Sequence, residues 1–478
     1  MKYEAVIGLE VHAQIRTASK MFCACPNCYG SEPNTNVCPV CMGYPGVLPV
    51  PNKEAIRKTV IAGLLTNCTI AKYSKFDRKS YFYPDMPKNY QISQYDLPFC
   101  ANGYIAIGGT GFSGEPMAEK KIGITRIHLE EDVAKLTHFH GASGVDYNRA
   151  GVPLMETVSE PDMRSADEAY AYLTSLKEIF VYGGIGDCDQ EKGQMRCDVN
   201  ISLRPEGQKE FGTKVELKNL NSFRAVHRAI DYEIWRQSEV LNSGGTIRQE
   251  TRGWNDDTGE TYLMRTKEQA HDYRYFPDPD LAPVVLSDEF IADLRANLPE
   301  LPGKMRERFV EQYALTPYDA EVLTQDKEIA SYFETAAKYV KTPKTLANWI
   351  ISELLRELDS SGLASCKVNA ENLGGLIALI ESGTINGKIA KEVFAEMLES
   401  GESAKAIVDA KGLAQVSDTG AIAKIVADAI AANPKQVQQY LDGNEKVLMY
   451  LVGQVMKLSK GKANPPMVIQ LLKEQLGK

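Results

Sequence analysis

The chain has 478 residues and a formal net charge of −9 at pH 7, and 44% of its residues are hydrophobic. This length is sufficient for two to four domains with a large core, and the composition is ordinary for a globular protein. The acidic balance argues against bulk nonspecific binding of nucleic acid, although a local basic patch can still contact RNA. The start, MKYEAVIGLEVH, lacks the apolar segment of a secretory signal, and no apolar run reaches membrane-spanning length, so we expect a cytoplasmic protein without membrane contact.

Up to about residue 290, short segments alternate apolar and polar residues, as is typical of β-strands. The segments are VIGLEVHAQI, GITRIHLEEDV, VPLMETV, MRCDVNISLR and TKVELKN. Two helices interrupt them: one begins at a capping box of Ser165 and Glu168 and stops at Gly183, and the other stops at Gly244. This pattern predicts an α+β fold with a largely antiparallel sheet.

Helix-forming residues dominate the later part of the chain, and a second change of composition near residue 405 begins a smaller, alanine-rich unit. We therefore predict three parts. They are a catalytic α+β cradle domain over residues 1–293, an all-α linker domain over 294–405 and a small all-α tail domain over 406–478. In the tail, Lys457, Lys460 and Lys462 follow an apolar helical stripe, and simple capping of the helix by cations is the alternative to an RNA contact.

A loop near the start, residues 23–41, holds five of the ten cysteines in the stretch CACPNCYGSEPNTNVCPVC. Clustered cysteines of this kind indicate metal-binding thiols in a reducing compartment rather than a disulfide framework. Two sets suit tetrahedral zinc: Cys25, Cys28, Cys38 and Cys41, with zinc-ribbon spacing, or Cys23 in place of Cys28. Because four thiolates leave no open coordination position, either set predicts a structural metal.

Potential ligands of a second metal recur on the polar faces of the strands. Successive strand residues point to opposite faces, so Glu10 and His12 lie opposite Leu9 and Val11. A solvated outer face is the alternative for any one strand, but several strands offer such groups. We predict a hard-cation site formed by Glu10, His12, Glu131 and Glu156, with Asp198 and Glu216 nearby. Oxygen ligands with one imidazole favour Mg²⁺ or Mn²⁺ over zinc.

Magnesium held by few protein groups commonly takes nucleotide phosphates as its remaining ligands, which indicates phosphoryl transfer. The sequence contains no G-x-x-x-x-G-K-[ST], so a P-loop enzyme is excluded. The segment SKFDRKSYFYPDMPKNYQISQYDLP, residues 74–98, interleaves basic and aromatic residues. This composition suits stacking on bases beside phosphate contacts, and it suits a structural loop packed on the core equally well.

Together the segments resemble the B subunits of the tRNA-dependent aspartyl/glutamyl amidotransferases, over nearly the whole chain. The motifs that carry the resemblance are IGLEVHAQ, KFDRKSYFYPDMPKNYQISQ, HLEEDVAK, NRAGVPLMETVSEPD, MRCDVNISLRP, VELKNLNSF and DYRYFPDPDL. The resemblance implies a ligase that uses ATP and Mg²⁺ to phosphorylate the side chain of Asp-tRNA(Asn) or Glu-tRNA(Gln), after which ammonia displaces the phosphate. It also implies a heterotrimer with a glutaminase A subunit and a small C subunit, and a tail domain that binds tRNA.

The resemblance further implies roles for particular residues. It assigns the catalytic metal to His12, Glu131 and Glu156, with Glu10 beside them. It assigns structural zinc to Cys23, Cys25, Cys38 and Cys41, which makes Cys28 a departure from the family pattern. Lys79, Lys88, Arg126 and Lys218 are candidates for offsetting phosphate charge, the first three towards ATP. The competing interpretations are a non-catalytic zinc-ribbon RNA-binding subunit and the archaeal relative specific for Glu-tRNA(Gln), which carries a large inserted domain.

Overall fold

We analysed a computed structural model, which describes residues 2–266, 272–359, 362–414, 419–459, 463 and 465–477. The chain divides into two compact units, Met1–Leu301 and Pro302–Lys478. Within the described ranges, no helix has the length and apolar character needed to cross a membrane. The predicted boundaries near residues 293 and 405 stay predictions.

In the part of the chain that the structure describes, the first unit contains the strands, four α-helices and a short 3-10 helix at Tyr147–Arg149. The strands are β1 (Tyr3–Gln14), β2 (Thr69–Ile70), β3 (Tyr73–Ser74), β4 (Asp77–Ser80), β5 (Tyr90–Ser93), β6 (Cys100–Thr110), β7 (Pro116–Glu131), β8 (Lys135–Phe139), β9 (Ala142–Asp146), β10 (Pro153–Ser159), β11 (Met195–Pro205), β12 (Val215–Lys218), β13 (Glu250–Asn255), β14 (Glu260–Thr266), β15 (Phe276–Pro277) and β16 (Val284–Val285). The helices are α1 (Lys53–Leu65), α2 (Ala166–Tyr182), α3 (Phe223–Asn242) and α4 (Asp288–Ala296).

A nine-stranded sheet, in the order β14-β13-β12-β11-β1-β10-β7-β6-β2, forms the framework of this unit. Its neighbouring strands are antiparallel except for the parallel pair β12–β13. The small strands β4, β5 and β15 form a separate three-stranded sheet. The predicted α+β class with a largely antiparallel sheet is therefore confirmed.

Alternation along β1 explains how the large sheet is buried on one side. Ile7, Leu9 and Val11 are buried in an apolar core that also includes residues of α1, α2 and α3. The helix α2 begins as its sequence predicts, because the Ser165 side chain accepts a hydrogen bond from Glu168 N at 3.2 Å. The Glu168 carboxylate instead accepts from Arg164 N at 2.8 Å, so the reciprocal bond of the predicted capping box goes to the preceding residue.

Strand β7 changes its alternation midway. Its buried apolar residues are Ile122 and Ile124 before Thr125, but Ile127 and Leu129 after it. The pairing with β10 shifts at this place, because Arg126 pairs with Val158 whereas Ile124 pairs with Ser159. On the neighbouring strand β6, Asn102 has a φ of +54°, in the left-handed region. The irregularity sets which face each later residue of β7 occupies.

The second unit is helical throughout the part that the structure describes. Its helices are α5 (Pro302–Tyr313), α6 (Pro317–Leu323), α7 (Lys327–Ala337), α8 (Pro343–Trp349), α9 (Leu355–Glu357), α10 (Ala370–Glu381), α11 (Gly387–Ser400), α12 (Ala404–Lys411), α13 (Thr419–Ala432), α14 (Pro434–Leu441), α15 (Val447–Leu458) and α16 (Pro465–Leu476). They build two separate apolar cores, one from Phe309 to Val408 and one from Ile422 to Leu472. The predicted basic residue Lys457 lies in the last turn of α15, whereas Lys460 and Lys462 lie outside the described residues.

Candidate active site and thiolate cluster

Three neighbouring strands bring an imidazole and two carboxylates together on the polar face of the large sheet. His12 on β1 pairs with Glu156 on β10, which pairs in turn with His128 on β7. The His12 Nε2 atom lies 3.1 Å from Glu156 Oε2 and 3.8 Å from Glu130 Oε1. One ligand atom each of His12, Glu130 and Glu156 lies within 4.8 Å of the others, close enough to share one metal ion.

The two carboxylates of this cluster are buried but well supplied with partners. Ser93 Oγ donates to Glu130 Oε2 at 3.0 Å, and His128 Nε2 lies 3.5 Å from the same oxygen. His128 Nε2 also lies 3.7 Å from Glu156 Oε2. Buried charges require such partners, because an unpaired carboxylate in a low-dielectric site is strongly unfavourable.

Electrostatics keep these carboxylates ionised. Burial raises the pKa of Glu156, but the electrostatic effect of the neighbouring His128 and the hydrogen bond from His12 outweigh it, so this pKa lies well below its ordinary value. Burial and the His128 hydrogen bond oppose each other in the same way at Glu130, whose pKa is also lowered. Burial lowers the pKa of His12, yet its hydrogen bond with Glu156 leaves it raised. The cluster thus offers anionic oxygens at neutral pH, the ligands that Mg²⁺ and Mn²⁺ prefer.

Of the predicted cations, Arg126 contacts this cluster, and Lys79 lies within electrostatic range of its carboxylates. Arg126 Nη2 is 3.7 Å from Glu156 Oε1. The Lys79 ammonium lies 4.9 Å from the centre of the Tyr273 ring. Although burial lowers the pKa of Lys79, the charges of Glu130 and Glu156 contribute to raising it above its ordinary value, so the ammonium is positive. Both groups can offset negative charge that is brought to the cluster.

Glu10, Asp198, Glu216 and Lys218 share the polar face but lie outside the three-residue cluster. Glu10 pairs with Asp198 across β1 and β11, and its Oε1 accepts a hydrogen bond from Asn200 Nδ2 at 2.9 Å. Lys218 forms ion pairs with Asp198 and, at 3.3 Å, with Glu216. These residues therefore form a second charged group along the same sheet face.

Glu131 and Lys88 are placed differently from the prediction. Glu131 points to the side of Ile127 and Leu129, since it shares their parity on β7. Its carboxylate forms a buried ion pair with Lys88 and accepts a hydrogen bond from Ile92 N at 3.0 Å. The structure thus places Glu130, and not the predicted Glu131, beside His12 and Glu156, which makes Glu130 the candidate ligand at this position. Lys88 is paired with Glu131 and not with the cluster, and its predicted contact with ATP stays a prediction.

Sequence reasoning passed over Glu130, His128 and Ser93. The alternation of the strand could have indicated the first two, because residues 128 and 130 alternate with the apolar residues Ile127 and Leu129 and so lie on the polar face. Ser93 had no such signal. It reaches Glu130 only because β5, from a different sheet, packs against β7.

The second cluster consists of sulfur atoms. The Sγ atoms of Cys23, Cys25, Cys38 and Cys41 lie within 4.8 Å of one another. Cys28 is outside this group, and its Sγ lies 3.3 Å from Ser31 Oγ. Of the two predicted ligand sets, the structure therefore favours the one with Cys23.

A positive charge supports the thiolate cluster. The fully buried Lys20 donates through Nζ to Cys41 Sγ at 3.8 Å and to Asn36 O at 2.9 Å. Cys38 N donates to the same sulfur at 3.1 Å. The hydrogen bond from Cys23 contributes most, and together with these groups it lowers the pKa of Cys41 to about 5. Four converging sulfurs with a buried counter-charge fit a structural zinc ion.

Two serine substitutions test this assignment. We expect Cys23→Ser to lose most of its zinc, because a thiolate ligand is removed, and to unfold the loop locally. The matched variant Cys28→Ser keeps about one zinc per chain, since a closed thiolate site has four ligands without it. The zinc content of both purified variants is measured by inductively coupled plasma emission spectrometry. Equal zinc in the two variants would contradict the assignment of Cys23.

Comparisons with known proteins place this geometry in a family. Residues 5–292 match the GatB/GatE catalytic domain, and residues 331–476 match the GatB domain. The B subunit of the aspartyl/glutamyl-tRNA(Asn/Gln) amidotransferase of Carboxydothermus hydrogenoformans is 54% identical over 100% of this chain and 99% of its own length. The protein of the same name from Thermoanaerobacter pseudethanolicus is 54% identical, and that from Persephonella marina 53%, both over 100% of each chain.

The catalytic-domain match and the sheet-borne cluster define the class as the catalytic subunit of a ligase. Within that class, the chain belongs to the GatB/GatE family, among the B subunits of the tRNA amidotransferases. The predicted family and the predicted ligase class are therefore confirmed. The match to a catalytic domain also disfavours the non-catalytic RNA-binding interpretation.

Proposed function

We propose that this subunit uses ATP to phosphorylate the side-chain carboxylate of Asp-tRNA(Asn) or Glu-tRNA(Gln), and then amidates the product with ammonia. The observation that carries the proposal is the cluster of His12, Glu130 and Glu156. It joins one imidazole and two ionised carboxylates within 4.8 Å, on the catalytic domain of a tRNA amidotransferase subunit. This donor set fits Mg²⁺ or Mn²⁺, which would be held there together with the phosphates of ATP.

The proposed reaction has two steps. A carboxylate oxygen of the substrate attacks the γ-phosphorus of ATP, and the bond from that phosphorus to ADP breaks. Ammonia then attacks the carbonyl carbon of the acyl phosphate, the carbon–oxygen bond to phosphate breaks, and one proton passes from the nitrogen to the departing phosphate. Phosphate is a far better leaving group than the oxide of a free carboxylate, so the first step makes the second possible. Bound Mg²⁺ would neutralise phosphate charge during the first step.

The side chains around the cluster suit these steps. His12, Glu130 and Glu156 would hold the cation, while Lys79 and Arg126 supply fixed positive charge next to Glu156 and Glu130. In-line transfer requires such cations, because catalysis of phosphoryl transfer consists mainly of positioning and charge stabilisation. Further along the face, Glu10, Asp198, Glu216 and Lys218 would contact the aminoacyl end of the substrate, where Lys218 would offset the charge of its carboxylate.

The relatives are named as the B subunits of amidotransferases, which indicates further subunits in those proteins. We propose that the partners here are a glutaminase A subunit that releases ammonia and a small C subunit in a heterotrimer. The thiolate loop would carry structural zinc, and the complex would act in the cytoplasm. An acyl phosphate hydrolyses readily in water, so ammonia should reach it through protein rather than through solvent.

Reconstitution with the two partner subunits tests the proposal. We expect γ-labelled ATP to be cleaved at a rate that rises when Asp-tRNA(Asn) or Glu-tRNA(Gln) is added, with Asn-tRNA or Gln-tRNA formed in equal amount. Parallel assays with the two tRNAs show which substrate is used. Amide formation that needs neither ATP nor this subunit would contradict the proposal and favour the non-catalytic alternative.

A further inference from the structure

Three consecutive residues of β5 contact two consecutive glutamates at the end of β7. Ser93 Oγ donates to the Glu130 carboxylate at 3.0 Å. Ile92 N donates to the Glu131 carboxylate at 3.0 Å, and Gln91 Nε2 donates to Glu131 O at 2.7 Å. Although the two carboxylates point to opposite faces of β7, one strand therefore fixes them both. Because Glu130 is the adjacent residue in the chain and is held by the same strand, we expect a displacement of Glu131 to move the Glu130 carboxylate as well.

On its other side, Glu131 faces the thiolate loop. The side chains of Glu131 and Lys88 are only 3% and 7% exposed, so this ion pair is buried. Both line a small cavity together with Cys23 and Cys41. The backbone just after the loop packs directly on Lys88, because a Cβ atom added at Gly43 would overlap the Lys88 side chain. The buried pair thus lies between the four sulfurs and the end of β7.

We propose that Glu131 and Lys88 are positioning residues that couple the thiolate cluster to the His12–Glu130–Glu156 cluster. In this arrangement, zinc in the loop holds Lys88, Lys88 holds the Glu131 carboxylate, and the end of β7 then presents Glu130 at the distance its metal requires. The inference deepens the proposed function and rests on it. It predicts that zinc in the first site raises the affinity of the second site for Mg²⁺ or Mn²⁺.

The strength of this coupling follows from the chemistry of the pair. A buried ion pair that loses one partner leaves an uncompensated charge, and the neighbouring structure rearranges to solvate it. Glu131 also receives the Ile92 amide, so removing its charge weakens the contact between β5 and β7 as well. Groups that orient metal ligands without touching the metal typically change metal affinity by about 10-fold to 100-fold when they are replaced. We expect an effect of that size here.

The test is a Mn²⁺ titration of the zinc-loaded heterotrimer, followed by electron paramagnetic resonance of the free ion. We expect the Kd for Mn²⁺ to rise about 10-fold to 100-fold in Glu131→Gln and in Lys88→Met, and to change little in Lys88→Arg, which keeps the charge. Saturating Mg²⁺ should restore most of kcat in these variants, because every proposed ligand of the cluster is still present. The apparent KM for Mg²⁺ should rise in parallel with the Kd.

Glu233→Gln is the matched control. Glu233 is also fully buried and ion-paired, with Arg236 Nε at 2.8 Å, but it lies on α3 and bonds to Thr261 of β14. Its loss lowers stability without reaching either cluster, so Mn²⁺ affinity should stay at the wild-type value. A general loss of stability would instead weaken Mn²⁺ binding equally in the control and in Glu131→Gln.

The zinc arm uses Cys23→Ser, which removes a thiolate but retains both Glu131 and Lys88 in the chain. We expect its Kd for Mn²⁺ to rise as in Glu131→Gln, and the double variant to show no further rise. If the wild-type complex binds no Mn²⁺, or if Glu156→Gln binds it as tightly as wild type, the proposed function fails. If wild type binds Mn²⁺ and the Glu131, Lys88 and Cys23 variants bind it equally well, the coupling is refuted while the proposed function stands. Should Glu131→Gln fail to fold, Lys88→Met and Cys23→Ser decide the question.

Discussion

Replacing Glu130 by Gln is expected to reduce the proposed ATP-dependent amidation by more than about 100-fold, while the proposed heterotrimer still assembles. Loss of groups that only orient metal ligands already costs about 10-fold to 100-fold, so loss of a ligand should exceed it. Glu130 Oε1 lies 3.8 Å from His12 Nε2 and Oε2 accepts from Ser93, so the amide keeps the shape of the site but removes its charge. Steady-state amidation of misacylated tRNA measures the effect.

The comparison with Glu131→Gln separates the two adjacent glutamates. High Mg²⁺ should restore Glu131→Gln, because that side chain lies outside the cluster, but should not restore Glu130→Gln. Circular dichroism and the melting temperature control for folding of both variants. Glu130→Gln with wild-type activity, or a Glu131→Gln variant that Mg²⁺ cannot restore, would return the ligand role to Glu131.

Removal of the chain from residue 415 onward should raise the apparent KM for aminoacyl-tRNA by about tenfold or more, with a smaller change in kcat. The residues from Ile422 to Leu472 form a core of their own, so the truncation removes one complete apolar cluster. A cut at residue 405 is less suitable, because Ile407 and Val408 are buried in the preceding core. Phosphate contacts position a nucleic acid and contribute much of its affinity, which is why KM should respond most.

Salt dependence gives this prediction a second measurement. Neutralising Lys457, Lys460 and Lys462 together should reproduce part of the loss and make tRNA binding less sensitive to salt, because fewer counterions are released. Glutaminase activity of the proposed A subunit, measured without tRNA, should be unchanged. If the truncated complex binds tRNA as tightly as the intact one, the tail has a structural role only.

Local patterns were enough to predict much of this molecule. Alternation of apolar and polar residues predicted that His12 and Glu156 share a face, and the two pair directly across β1 and β10. The cap of α2 at Ser165 and the α+β class followed from the same kind of reasoning. These features depend on neighbours in the chain or on strand periodicity, both of which are visible in a sequence.

Contacts between segments that are far apart in the chain were harder to predict from the sequence. Two adjacent glutamates in β7 have equal ligand chemistry, so composition alone could not choose between Glu130 and Glu131. The choice depends on strand phase, and Glu131 shares its parity with the buried Ile127 and Leu129. Spacing likewise allowed either Cys23 or Cys28, and only the path of the loop separates them. The partnership of Lys88 with Glu131 joins residues 43 positions apart in the chain.

The irregularity at Thr125 sets the phase of side-chain alternation in the second half of β7. The buried apolar residues are 122 and 124 before Thr125 and 127 and 129 after it, so the strand contains one residue more than regular alternation would require. Deleting Thr125 would leave positions 124 and 127 two places apart, so regular alternation would keep the apolar residues of both halves on the core face. The same sequence paired without the irregularity would instead turn Ile127, Leu129 and Glu131 to the polar face and Glu130 towards the core. The positions of the two adjacent carboxylates therefore depend on this single extra residue as much as on the glutamates themselves.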